Sequence, residues 1–208
     1  MANPPTFGVI LAGGRASRMG GGDKPLKRLG GTTILDRVIA VLRPQCVGLI
    51  VNANGDPSRF AETGLAVVAD SVPDFAGPLA GVLAGLDWVA EHEPGIEWVV
   101  SVAGDSPFLP SDLVMRLHAA RLEAAMPLAQ AQSDGQPHPV NALWRVDLRD
   151  DLRRALVDEK VHKVQAWTAR HGVARASWPV EPVDPFFNAN TPEDLTRAAE
   201  LIAAGKRV

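Results

Sequence analysis

Phe7-Gly8-Val9-Ile10-Leu11-Ala12 runs directly into Gly13-Gly14-Arg15-Ala16-Ser17-Arg18-Met19-Gly20-Gly21-Gly22-Asp23-Lys24. The first six residues are compact, apolar and rich in branched side chains, which predicts a buried strand. The segment after it holds five glycines and three cations, Arg15, Arg18 and Lys24. Glycine lets a backbone take positive φ and approach a ligand closely, and successive N–H groups in such a loop surround phosphate oxygens. Arginine adds a forked set of donors and lysine a compact charge. A solvated turn is the plain alternative, but strand, glycines and cations in one stretch favour an anion site. Two familiar phosphate motifs do not fit. A P-loop ends in Gly-Lys-Ser/Thr, whereas Lys24 follows Asp23 and precedes Pro25. The dinucleotide fingerprint needs a glycine spacing that Gly13-Gly14 does not continue.

Strands and helices alternate outward from this segment. Ile34–Leu42 has helical spacing behind a cap at Thr32 or Thr33. Val47–Val51 and Ala66–Ala69 are short apolar runs ending at Asn52 and Asp70. Gly81–Ala90 predicts a helix whose small residues lie close to a sheet. Trp98–Ala103 predicts a further strand, ending at Gly104 and Asp105, and Ser111 a cap for a helix to about Leu122. This order indicates an α/β fold: a three-layer α/β/α arrangement on a mostly parallel, Rossmann-like sheet, with an irregular C-terminal substrate-binding part. In such sheets the ligand lies beyond the carboxyl ends of the strands, where Asn52, Asp70 and Asp105 fall.

The second half reads less regularly. Leu128–Ala131 and Val140–Trp144 predict strands joined by a loop over Ser133–Pro139, and Asp147–Leu156 and Val161–Arg170 predict helices. Thr191, Pro192, Glu193 and Asp194 form the clearest helix start in the chain. One domain over residues 1–208 is expected, in two halves at about 6–125 and about 126–208.

Composition narrows the function classes. Of the 208 residues 46% are hydrophobic and 22% charged, as in a soluble globular protein. The formal net charge of −3 gives no basic field for nucleic acid or an anionic membrane, so a polyphosphate must be met by a local cluster. Cys46 is the only cysteine, which excludes an internal disulfide and a cysteine-rich zinc site, and fits a reducing compartment. Met1–Thr6 carries no Lys or Arg and no apolar run is long enough for a bilayer, so a soluble, cytoplasmic protein is expected. The five histidines form no metal or triad spacing; His138, between Pro137 and Pro139, reads as a surface residue.

The pattern L-A-G-G-x-x-x-R-M-G-x-x-x-K resembles the signature of nucleotidyltransferases that activate sugars and cofactors. In the form Leu11 to Leu26 gives it, it is most similar to the molybdenum cofactor guanylyltransferase family of MobA type. Ile50–Asn54, Asp70-Ser71 before Gly77–Gly81, Gly104–Pro107 and Phe187–Leu195 agree, so the likeness runs from Val9 to Leu195. The resemblance implies transfer of GMP from GTP to the terminal phosphate of Mo-molybdopterin, with release of pyrophosphate. The alternatives are a sister enzyme using CTP or a sugar-phosphate acceptor, and a non-catalytic carrier of nucleotide or cofactor.

The resemblance also implies site roles. The backbone of Leu11, Ala12 and Gly13 holds the nucleotide, Lys24 and Arg18 meet the phosphates, and Asn52 and Asp70 contact the nucleotide. A carboxylate such as Asp70 can accept hydrogen bonds from guanine N–H groups. Asp105 is the expected ligand of Mg²⁺, an ion that takes one or two protein carboxylates and completes its shell with water and phosphate. Asn188 and Asn190 read equally as turn residues or as groups facing metal or substrate. Lys160, Lys163 and Arg170 are candidates for the acceptor, with a solvated helix face as the plainer reading. Other cofactor-handling proteins and molybdoenzymes are the partners the resemblance implies.

Overall fold

The structure is a computed structural model that describes residues 3–13, 23–72 and 77–205. In chain order the elements are β1 (Thr6–Leu11), β2 (Arg28–Leu29), β3 (Thr32–Thr33), α1 (Ile34–Leu42), β4 (Gly48–Asn52), β5 (Ala66–Val68), α2 (Pro78–His92) and β6 (Trp98–Ala103). There follow α3 (Leu113–Glu123), β7 (Ala129–Ser133), β8 (Gln136–Arg145), α4 (Arg149–Val157), α5 (Val164–His171), β9 (Ala174–Trp178) and α6 (Pro192–Ala203). Short 3₁₀ turns include Lys24–Leu26 and Pro57–Thr63.

One seven-stranded sheet has the order β5-β4-β1-β6-β8-β7-β9, and β2 and β3 form a small separate ribbon. Of the seven strands only β8 runs antiparallel to its neighbours. The strands of the first half are continuous apolar runs because both faces are covered. Residues on β1 alternate between two cores: Phe7 and Val9 join the apolar groups of α2, α4 and α5, while Ile10 joins those of α1, α3 and α6. That is the expected three-layer arrangement. Two helices begin where the sequence predicts, each with a reciprocal cap: Thr33 with Asp36, and Thr191 with Asp194.

Three local expectations are corrected. The helix after β6 is capped at Asp112, not Ser111, and the Asp112 carboxylate accepts from Trp178 Nε1 at 2.9 Å instead of from the helix backbone. The expected loop over Ser133–Pro139 is a hairpin turning at Asp134 and Gly135, both with positive φ. Asp-Gly suits that two-residue turn. Pro137 and Pro139 are tolerated in β8 because β6 pairs only with residues 142–145, leaving one side of the strand free. Finally, β9 joins β7 in parallel, so the second half extends the same sheet and is more regular than expected.

His118 of α3 has a pH consequence. It is fully buried; Nε2 lies 2.7 Å from Thr6 Oγ1, whose hydroxyl donates to Pro4 O, and Nδ1 accepts from Arg121 Nε at 3.0 Å. This arrangement suits the neutral ring. Burial, and then the Arg121 charge, hold its pKa down at about 4. The unfolded chain therefore binds this proton first, and the stability His118 contributes above its ordinary pKa of about 6.5 drains away as pH falls towards 4. Urea unfolding at pH 7.5 and pH 5 should show the loss, and His118→Gln should make it smaller.

Candidate active site

The carboxyl ends of β1, β4, β5 and β6 meet at one edge of the sheet. Leu11 lies in register with Asn52 on one side and Ala103 on the other. Ala12 N–H donates to Asn52 O at 2.9 Å, and Gly104 N–H to Leu11 O at 3.0 Å. The backbone through Leu11, Ala12 and Gly13 is thus fixed where the glycine-rich segment begins. Arg15 and Arg18, with the rest of residues 14–22, lie outside the described residues.

Asn52 ends β4, is buried, and its Nδ2 donates to Val68 O at 3.1 Å and to Asp70 Oδ1 at 2.9 Å. The other oxygen of Asp70 accepts from Asn54 Nδ2 at 2.8 Å, and Asp70 N–H donates back to Asn54 Oδ1 at 2.9 Å. Asp70 is therefore held in a fixed orientation by two side-chain amides, with half of its acceptor capacity free for a ligand. Close packing makes this possible: a Cβ on Gly81 of α2 would stand 2.2 Å from Asn52 Oδ1.

Asp105 follows β6 in a turn. Burial raises its carboxyl pKa, against the pull of the nearby Lys24 ammonium. A desolvated carboxylate that is only partly compensated is a good seat for a cation. Lys24 reaches the same place from the other side, and its Nζ donates to Asn190 Oδ1 at 2.8 Å. Ser106 Oγ donates to Asn188 Oδ1 at 2.7 Å, and Ala189 N–H to Asp105 O at 3.0 Å. The segment before α6 is thereby laid across the end of β6. Asn188 and Asn190 thereby lie against Ser106 and Lys24 at the end of β6. Asn141 of β8 adds an amide whose Oδ1 accepts Ala103 N–H at 3.0 Å.

Among the described residues there is no cluster of three His, Cys, Asp or Glu side chains. Asp105 offers one carboxylate, and a hard divalent ion can take as few as one from a protein, with water and phosphate completing its shell. No thiol competes as a nucleophile, since burial pushes Cys46 up to about 12.

Arg170 of α5 pairs with Glu159, in the turn after α4, at 2.6 Å. His138 is not a surface side chain: it is half-buried, its Nε2 lies 2.7 Å from Ser133 Oγ, and its ring is tilted by 31° against that of Phe186, with the centroids 4.7 Å apart. It lines a cavity of about 500 Å³ between the β7–β8 hairpin, residues 180–184 and α6. The sequence reading missed Asn54, Ser106 and Asn141, whose partners are remote along the chain.

Lys24, the buried carboxylate of Asp105 and the Asn52–Asp70 pair gather at the carboxyl ends of a mostly parallel sheet, and the relatives of the chain make it a nucleotidyltransferase. The MobA-like NTP transferase domain family matches residues 8–174. The molybdenum cofactor guanylyltransferase of Nitrobacter hamburgensis is 63% identical over 96% of both chains, and that of Rhodopseudomonas palustris 57% identical over 99% of this chain and 98% of the relative. Molybdopterin-guanine dinucleotide biosynthesis protein A from Archaeoglobus fulgidus shares the fold, with a TM-score of 0.72 at 22% identity over 95% of this chain and 99% of that one. The chain belongs to the molybdenum cofactor guanylyltransferase family. No helix among the described residues is long and apolar enough to cross a membrane.

Proposed function

We propose that this chain transfers GMP from GTP to the terminal phosphate of Mo-molybdopterin, with Mg²⁺ as the metal, giving the guanine dinucleotide form of the cofactor and pyrophosphate. The observation that carries this reading is the meeting of Lys24, Asp105, Asn188 and Asn190 at the end of β6, beside the Asn52–Asp70 pair.

A phosphate monoester has a second pKa of about 6 and is largely dianionic at neutral pH, so it attacks the α-phosphorus without a protein base. The new P–O bond forms as the bond to pyrophosphate breaks on the opposite side. Catalysis is then positioning and charge neutralisation. Lys24 offsets negative charge on the triphosphate, and Arg18 is assigned the same task from the sequence. Leu11, Ala12 and Gly13 flank the nucleotide through their backbone, while Asp70, braced by Asn52 and Asn54, accepts from the guanine edge. Asp105, with Asn188 and Asn190 beside it, would hold Mg²⁺. When bound, that ion screens phosphate repulsion and polarises the α-phosphate. The second half, from about residue 126, receives the acceptor; cofactor-handling proteins and molybdoenzymes are the partners to which the product passes.

Incubation of the purified protein with GTP, Mg²⁺ and molybdopterin should release pyrophosphate and yield the dinucleotide. Among the four nucleoside triphosphates GTP should give the highest turnover. Tight GTP binding with no pyrophosphate would instead mark a carrier.

A further inference from the structure

Arg59 lies in the 3₁₀ segment Pro57–Thr63 after β4, where no motif singles it out. Each of its three guanidinium nitrogens nevertheless donates a hydrogen bond. Nη1 reaches both carboxylate oxygens of Asp23 at 2.5 Å, Nε donates to Asp56 O at 2.8 Å, and Nη2 donates to Asn54 O at 2.7 Å. The next residue, Phe60, is buried in the core, and the guanidinium carbon sits 5.2 Å from its ring centroid.

These contacts join two parts of the site that the chain does not join. Asp23 directly precedes Lys24, and its carbonyl accepts Leu26 N–H at 3.0 Å, which closes the turn that carries Lys24. Asn54, gripped by Arg59 through its carbonyl, grips Asp70 through its side chain. A path of direct hydrogen bonds therefore runs from the lysine turn to the Asp70 carboxylate through one guanidinium.

We infer that Arg59 is a positioning residue, fixing the separation between the group that meets the triphosphate and the group that meets the base. The inference rests on the roles of Lys24 and Asp70 in the proposed function. An exposed ion pair alone contributes little, but this pair is only one arm of a fork that also holds two backbone carbonyls. Lysine cannot reproduce that fork. Holding two half-sites at a fixed distance matters only to a ligand that spans both, because such a ligand gains effective concentration from the fixed geometry.

The experiment follows from that distinction. Pyrophosphate release by the wild type first establishes the reaction, and its absence would count against the proposed function alone, since the binding comparison below needs no turnover. Arg59→Gln and Asp23→Asn are then compared with wild type for affinity to GTP, guanosine and inorganic triphosphate. Loss of the clamp should weaken GTP about tenfold while leaving guanosine and triphosphate within about twofold. The affinity for molybdopterin and the melting temperature should hardly move, and the double variant should be no worse than either single one. Arg59→Lys, which keeps the ion pair, should fall between. Unchanged GTP affinity would overturn the inference. So would an equal loss for guanosine or triphosphate, which would make Arg59 a direct ligand, or a general loss of stability with both substrates weakened.

Discussion

Asp105→Asn should lower turnover by roughly 10³-fold, because it removes the charge expected to seat the metal at the α-phosphate, worth several kcal/mol in the transition state. The fold should survive and even gain. Burial raises the Asp105 pKa in the folded chain, so at neutral pH the ionised carboxylate destabilises the native state. The sign follows directly. Between the ordinary carboxylate pKa and the raised one, the folded chain binds more protons than the unfolded chain, and stability falls as pH rises through that window. Asparagine is neutral throughout and removes this term. Pyrophosphate release and thermal melting, run on the same preparation, should therefore move in opposite directions. Metal binding to the wild type should also weaken as pH falls, starting above the pH at which an ordinary carboxylate protonates. A variant that kept turnover within about tenfold would take Asp105 out of the metal site.

The second large effect is expected from a single added methyl group. Gly81 lies inside α2, where alanine by itself favours the helix by up to about 1 kcal/mol. Its Cβ, however, would stand 2.2 Å from Asn52 Oδ1, 2.9 Å from Asn52 Cγ and 3.0 Å from Leu11 Cδ2. Asn52 cannot yield cheaply, being buried at the end of β4 and bonded to both Val68 O and Asp70. Either α2 shifts outward or Asn52 turns and releases Asp70. Overpacking of this kind costs about 1–3 kcal/mol, and misplacing a substrate-positioning group by about 1 Å costs on the order of 10²-fold. Gly81→Ala should lower kcat/KM for GTP by about that factor while leaving the KM for molybdopterin near its wild-type value. Gly95→Ala is the control, since nothing lies within 4 Å of a Cβ there. If Gly81→Ala turned Asn52 off Asp70 in its crystal structure and still retained wild-type GTP kinetics, the Asn52–Asp70 pair would have no part in nucleotide binding.

Asn54 and Arg59 show why a residue tied to a candidate site can be invisible in a sequence. Each lies in a polar stretch, 54–59, that by composition is a loop after a strand. Their importance comes from Asp70 and Asp23, which stand 16 and 36 positions away. Lys24 and Asn190 are 166 positions apart, and Ser106 and Asn188 are 82 apart. No periodicity or spacing rule reaches over such distances. The motif around Lys24 pointed to phosphate, but nothing near it pointed to an asparagine before the last helix. Strand β9 was missed for a related reason. Its inward residues Ala174 and Ala176 are small, so the alternation that marks a half-buried strand is faint in the sequence.

What the sequence determined by itself was whatever depends on neighbours a few residues apart. The apolar run of β1 and the glycines after it, the end of β6 at Asp105, and the capped start of α6 at Thr191 are all encoded by local sterics, turn chemistry and capping. The tertiary structure decided which of those local features meet. It brought Lys24 to Asn190 and Asp105, braced Asp70 between two amides, and tied Asp23 to Arg59. Those contacts form only after sheet and helices have buried their apolar faces, because the packed core, not any short stretch of chain, sets the distances between the strand ends.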